Sequence, residues 1–182
     1  MKILCFGDSN TFGYDPRSVF GSRYEENHRW VDITQSETGL TLINAGQNGR
    51  EIPRRNFEFE AVHRLIQQHS PDKILVLLGT NDLLQGVDVE TISVRMEDFL
   101  RTLTVSVLLI APPPLQRGAW VGEDSLVASS RLLGERYRAL AERLQIPFAD
   151  SGSWGIALTF DGVHFSEAGH HVFADHLISM LK

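Results

Sequence analysis

One run in this chain, "KILVLLG" (residues 73–79), has no polar alternation at all. A strand with one wet face alternates apolar and polar side chains. A continuous apolar run of strand length needs cover on both faces, as in the middle of a parallel sheet packed between helices. Such a sheet needs long crossover connections, so the rest of the chain should alternate strands with helices.

It does. Further strand-length apolar runs occur at Lys2 to Phe6, Leu40 to Asn44, "VSVLLIA" (105–111) and "IPFAD" (146–150). Between them lie stretches of helical period: Trp30 to Glu37, Phe57 to His69, Val89 to Thr102 and Ser125 to Leu144. Ser166 is the expected N-cap of a last helix carrying Val172, Phe173, Leu177 and Leu181. Right-handed crossovers then give an α/β fold with five parallel strands and helices on both faces. The expected topology is a flavodoxin-like three-layer α/β/α sandwich, strand order 2-1-3-4-5, in a single domain over residues 1–182. The segment Gly7 to Arg29 reads as a long polar and aromatic loop, and "LQRGAWVGED", after three prolines, as an extended surface loop.

A net charge of −6 argues against a nucleic-acid partner, because phosphate binding needs clustered Lys and Arg. No apolar run approaches the ~20 residues of a membrane helix. The apolar run before Gly7, Ile3 to Phe6, is only four residues, too few for a secretion signal, so a cytoplasmic location is expected. The single cysteine, Cys5, cannot form an internal disulfide, and its place in the first apolar run predicts a buried thiol.

In an open parallel sheet, sites form at the carboxyl ends of the strands, beside the point where strand order reverses. "GDSN" follows the first strand, "AGQNG" the second, "GTND" the third, and "DGVHFSEAGH" comes a few residues after the fifth. A nucleophilic serine needs a base in hydrogen-bond reach, and the base needs an orienting group. Asp161 and His164 are spaced i, i+3, which share a face in a helical turn. Asp161 could hold Nδ1 of His164 and leave Nε2 aimed at Ser9. Oxyanion donors would be the backbone N–H of Ser9, the backbone N–H of Gly49 and the side-chain amide of Asn81.

These blocks resemble those of the SGNH (GDSL-type) hydrolase superfamily, in family order: "FGDSNTFG", "NAGQNG", "GTND" and "DGVH". The resemblance implies a serine esterase with catalytic Ser9, Asp161 and His164 and an oxyanion hole of Ser9, Gly49 and Asn81, with Gly46 as second choice to Gly49. "KILCFGDSNTFGYDP", "LLGTNDL" and "IAPPPL" further resemble the arylesterase branch. That implies small acetyl, short-chain or aryl esters as substrates and acyl transfer to alcohols as a side reaction. It implies no cofactor and no metal. Relatives in that branch include homo-oligomers. Asn10 stands where the family name has Leu, and is expected to carry no chemistry.

Other readings stay open beside this one. A carbohydrate O-deacetylase, a thioesterase or a lysophospholipase would use the same machinery. A flavodoxin-like ligand-binding module would use the same edge, although "GDSN" lacks a phosphate-cradling run. No G-x-S-x-G elbow occurs, which disfavours an α/β-hydrolase. Asp8 is expected to cap the following segment, and Asp82 to be structural. His170, His171 and His176 are expected at the surface or on a helix face. Phe12, Tyr14, Trp120 and Trp154 are candidates to line an acyl or alcohol pocket.

Overall fold

The computed structural model describes residues 1–18 and 22–181, so the loop reading for residues 7–29 lies partly outside the described residues at 19–21. The strands are β1 (Lys2–Gly7), β2 (Thr41–Gly46), β3 (Lys73–Leu77), β4 (Ser106–Ala111) and β5 (Phe148–Asp150). The helices are α1 (Ser9–Phe12), α2 (Trp30–Thr38), α3 (Asn56–His69), α4 (Thr80–Leu84), α5 (Val89–Thr102), α6 (Asp124–Leu144) and α7 (Glu167–Leu181). All strand pairs are parallel, in the order β2-β1-β3-β4-β5.

The uninterrupted apolar strands follow from the two cores. Leu4, Phe6, Ile74 and Val76 point to one face, where Val62 and Ile66 of α3, Met96 and Phe99 of α5 and Leu133 and Tyr137 of α6 cover them. Ile3, Cys5, Leu75 and Leu77 point to the other, against Trp30 and Val31 of α2 and Phe173 and Leu177 of α7. Alternate residues thus enter opposite cores, and burial of each large side chain contributes about 1.5–3 kcal/mol. Cys5 is fully buried, and burial pushes its thiol up, away from the reactive thiolate. Ser166 caps α7 as expected, its Oγ accepting from the Gly169 N–H at 3.0 Å.

Three local readings change. β2 begins at Thr41 and continues through Gly46, which pairs with Gly7. Gly46, the last residue of that strand, is where α1 crosses: a Cβ there would lie 2.1 Å from the Phe12 backbone nitrogen. Within the polar segment after β1, Ser9–Phe12 forms one helical turn, too short to show a period. "GTND" likewise opens the short helix α4.

The chain leaves β1 for β2 on one side and then crosses to β3 on the other. The carboxyl ends of β1, β2 and β3 therefore meet at one edge, with α1 and α4 beginning there.

Candidate active site

Ser9 opens α1, two residues after the end of β1 at Gly7. Asp8 caps that helix, its Oδ1 accepting from the Asn10 N–H at 2.9 Å. Gly7 permits the tight exit, since a Cβ would lie 2.0 Å from Thr11 Oγ1. Asp8 is 2% exposed. Burial raises its carboxyl to about 6, although the Asn10 N–H, the nearby His164 ring and the Arg50 guanidinium oppose the shift.

Asp161 and His164 lie on the loop before α7. The segment is a tight turn rather than the helical turn expected, because Gly162 adopts φ +80° with Gln116 O packed where a Cβ would be. Asp161 Oδ1 accepts from the backbone N–H groups of Val163 and His164 at 2.9 and 3.0 Å and from the Thr159 hydroxyl at 2.8 Å. Its Oδ2 lies 2.6 Å from His164 Nδ1. Burial alone would raise the Asp161 carboxyl, but the His164 side chain and the two N–H groups outweigh it and hold it at about 2. An ionised carboxylate only accepts, so the ring proton is assigned to Nδ1. That leaves Nε2 as acceptor toward Ser9 Oγ, 3.0 Å away. Both side chains are buried.

The loop after β4 helps to hold this turn. The N–H groups of Gln116, Ala119 and Trp120 donate to the carbonyls of Gly162, Phe160 and Asp161. The segment read as a surface loop is thus a clamp on the Asp161–His164 turn. The rings of Tyr14 and Trp120 lie 4.8 and 5.1 Å from the His164 ring. Trp154 is elsewhere, packed on Phe173 and His176 of α7, and the Phe12 ring lies under Arg23.

On the β2 side, Gly49 is exposed with φ +72°, and no described group accepts from its N–H. Gly46 cannot play that part, because its N–H already donates to Asn44 Oδ1 at 3.0 Å. After β3, the Asn81 amide donates one hydrogen to the Arg50 carbonyl at 3.0 Å and keeps a second. Asp82 turns away, accepting from the Ile52 N–H and from Arg95, a structural part as expected.

The sequence matches the model of the GDSL-like lipase/acylhydrolase family over residues 5–172. The chain belongs to that family. Membership makes this GDSL-like enzyme an ester-hydrolysing serine hydrolase. Its fold is shared with a provisionally assigned arylesterase from Agrobacterium tumefaciens, at 26% identity and TM-score 0.87 over 99% of this chain and 97% of that one. It is also shared with the aryl esterase of M. smegmatis, at 25% identity and TM-score 0.85 over 99% and 97%. A carbohydrate acetylesterase family member from Sinorhizobium meliloti, at 24% identity and TM-score 0.85 over 99% and 96%, speaks to the fold alone. A comparison with curated proteins finds no match.

Two residues of this GDSL-like hydrolase matter beyond those the motifs point to. The Arg50 guanidinium donates to the carbonyls of Gly7 at 2.8 Å and Ala45, at the ends of β1 and β2, and lies 4.2 Å from the Phe6 ring centre. Its own carbonyl holds Asn81. Burial lowers its guanidinium to about 10, with the Asp8 carboxylate opposing. The only hint in the sequence was its place directly after Gly49. The second is Asn10, set aside as uninformative, whose side chain is tied to the loop around His164.

Among the described residues, no helix is long and apolar enough to cross a membrane, and no group of three or more His, Cys, Asp or Glu side chains is placed to hold a metal.

Proposed function

We propose that the protein is a serine esterase acting on small carboxylic esters, with acetyl or short acyl groups and aryl or alkyl leaving groups. The observation that carries the reading is the chain of contacts from Asp161 through His164 to Ser9 Oγ, all three side chains buried.

Ser9 Oγ attacks the ester carbonyl while its proton passes to His164 Nε2. The carbonyl becomes an oxyanion facing the N–H groups of Ser9 and Gly49 and the free Asn81 hydrogen. The C–O bond to the alcohol then breaks, and the proton on Nε2 goes to the leaving oxygen. Water, deprotonated by Nε2, attacks the acyl-Ser9 ester, and the carboxylic acid leaves as Ser9 regains its proton. An alcohol in place of that water gives a new ester. Asp161 stays ionised and stabilises the imidazolium formed in each half.

Two depressions are lined by the candidate oxyanion glycine and by the tryptophan next to His164, though neither is lined by Ser9 or His164 themselves. A depression of about 410 Å³ runs past Gly49 and the exposed Phe57. Another of about 500 Å³ runs past Trp120, Leu84 and Leu126. Volumes of this order hold a small organic molecule.

The test is hydrolysis of p-nitrophenyl esters from acetyl to decanoyl, with Ser9→Ala as control. Turnover highest for acetyl or butyryl, and lost in the Ser9 variant, is expected. Wild-type turnover by Ser9→Ala, or a preference for decanoyl, would defeat the reading.

A further inference from the structure

Ser9 and His164 sit 155 residues apart in the chain, on different loops. Each loop has its own anchors. The turn around His164 is clamped by residues 116–120 and by the Tyr24 hydroxyl on the Phe165 carbonyl, at 3.2 Å. The turn around Ser9 is held by Asp8 and by the Asn44 amide on the Thr11 carbonyl, at 2.8 Å. Of these anchors Tyr24 alone also reaches the turn around Ser9, its backbone N–H donating to the Gly13 carbonyl at 2.8 Å; none of them ties the two turns to each other directly.

Asn10 does. It follows Ser9 directly and is 5% exposed. Its Nδ2 donates to the Val163 carbonyl at 3.2 Å, and its Oδ1 accepts from the Phe165 N–H at 2.8 Å. Val163 and Phe165 are the residues on either side of His164. Its own backbone carbonyl accepts from Trp30 Nε1 at 3.0 Å, which fixes Asn10 from behind. Among the described residues, these amide bonds are the only hydrogen bonds between residues 8–13 and 158–166 besides Ser9 to His164 itself.

We propose that Asn10 is a positioning residue: its amide locks the backbone on both sides of His164 to the turn that carries Ser9, and so sets the distance between hydroxyl and imidazole. The proposal rests on the reading of Ser9 and His164 as nucleophile and base. The chemistry is specific to asparagine. A carbonyl and an N–H two residues apart need one donor and one acceptor at the end of a short side chain. Leucine offers neither and leaves both buried backbone groups unpaired. Aspartate keeps the acceptor for Phe165 but turns a second oxygen toward the Val163 carbonyl. Glutamine is one methylene too long for the same seat.

The lock acts on geometry, so its loss should appear in the chemical step more than in binding. The test compares Asn10→Leu and Asn10→Asp with wild type and with Ser9→Ala, on p-nitrophenyl acetate. Steady-state kinetics, near-ultraviolet circular dichroism and the proton NMR signal of the His164 Nδ1–H are read together. For Asn10→Leu, kcat is expected to fall on the order of 10- to 100-fold while KM changes less than about twofold. The ring N–H signal is expected to shift or broaden, and Asn10→Asp to fall between Asn10→Leu and wild type. Asn10 variants with native circular dichroism and wild-type kcat, or with raised KM alone, overturn the proposal. If Asn10→Leu does not fold, the isosteric Asn10→Asp decides in the same way. The Ser9→Ala control separates the two levels. An active Ser9→Ala protein overturns the reading of the site and the proposal with it. An inactive one beside fully active Asn10 variants overturns the proposal alone.

Discussion

Asp161 gives one carboxylate oxygen to a single partner: Oδ2 lies 2.6 Å from His164 Nδ1, while Oδ1 takes three other donors. The carboxylate is therefore held in place independently of the imidazole it orients. Asp161→Asn keeps the shape but can present an N–H to Nδ1, which favours the wrong tautomer. The expected result is a fall in kcat on the order of 10³- to 10⁴-fold with KM little changed, read by steady-state kinetics. A loss under tenfold would remove Asp161 from the mechanism.

Asn81 keeps one amide hydrogen after bonding Arg50. In Asn81→Ala, kcat should drop on the order of 10²- to 10³-fold, the usual effect of one lost oxyanion donor. Asp82→Asn, one residue on, should lower the melting temperature and leave kcat within a few fold, since Asp82 faces Ile52 and Arg95. Equal kinetic losses from both would indicate a general disturbance of α4.

The two glycines after β2 should respond in opposite ways. Gly49→Ala places a methyl in open space at φ +72°, so only the left-handed backbone costs, about 1–2 kcal/mol. Its N–H survives, and so should most of the activity. Gly46→Ala drives a Cβ to 2.1 Å from the Phe12 nitrogen and displaces α1 with Ser9. Thermal melts and turnover of the two variants, measured side by side, should show Gly46→Ala failing on both counts.

Asp8 should oppose folding at neutral pH. Burial raises its folded carboxyl to about 6, against ~3.9 unfolded. Between these values the folded chain holds a proton that the unfolded chain has lost. Stability therefore falls as pH rises from ~3.9 through 6. Urea midpoints of wild type and Asp8→Asn should agree near pH 4 and diverge by pH 7, with the variant the more stable.

His170 has the opposite sign. It is 1% exposed, on the buried face of α7, so of the two places expected, surface or helix face, it takes the second. Its Nδ1 accepts from the Trp30 N–H at 3.4 Å, and its Nε2 has no partner among the described residues. Burial, followed by the positive charges of His171, Arg29, His164 and His28, lowers its pKa to about 3. An unfolded histidine takes up a proton near ~6.5 that the folded one refuses. Stability is therefore complete above ~6.5 and declines as pH falls toward 3. His170→Gln, which carries no charge, should flatten that decline between pH 7 and 5 in urea titrations.

The sequence by itself determined the sheet. Runs such as Ile3 to Phe6 and Ile74 to Leu77 feed two cores at once, and only a covered parallel strand allows that. It also placed Ser9, Gly49 and Asn81 after the first three strands, and Asp161 and His164 in the polar stretch before the last helix, because glycine and polar residues interrupt the apolar pattern there. Periodicity and turn chemistry report on near neighbours, so both were legible. Tertiary structure alone decided which polar groups meet across the chain. It seated Asn10 against Val163 and Phe165, hung Asn81 from the Arg50 carbonyl, and buried His170 beneath Trp30. It also sent Trp154 to α7 while bringing Trp120 to His164. These pairings depend on how separate turns pack, and the spacing of residues within one turn carries no record of the turn it will face.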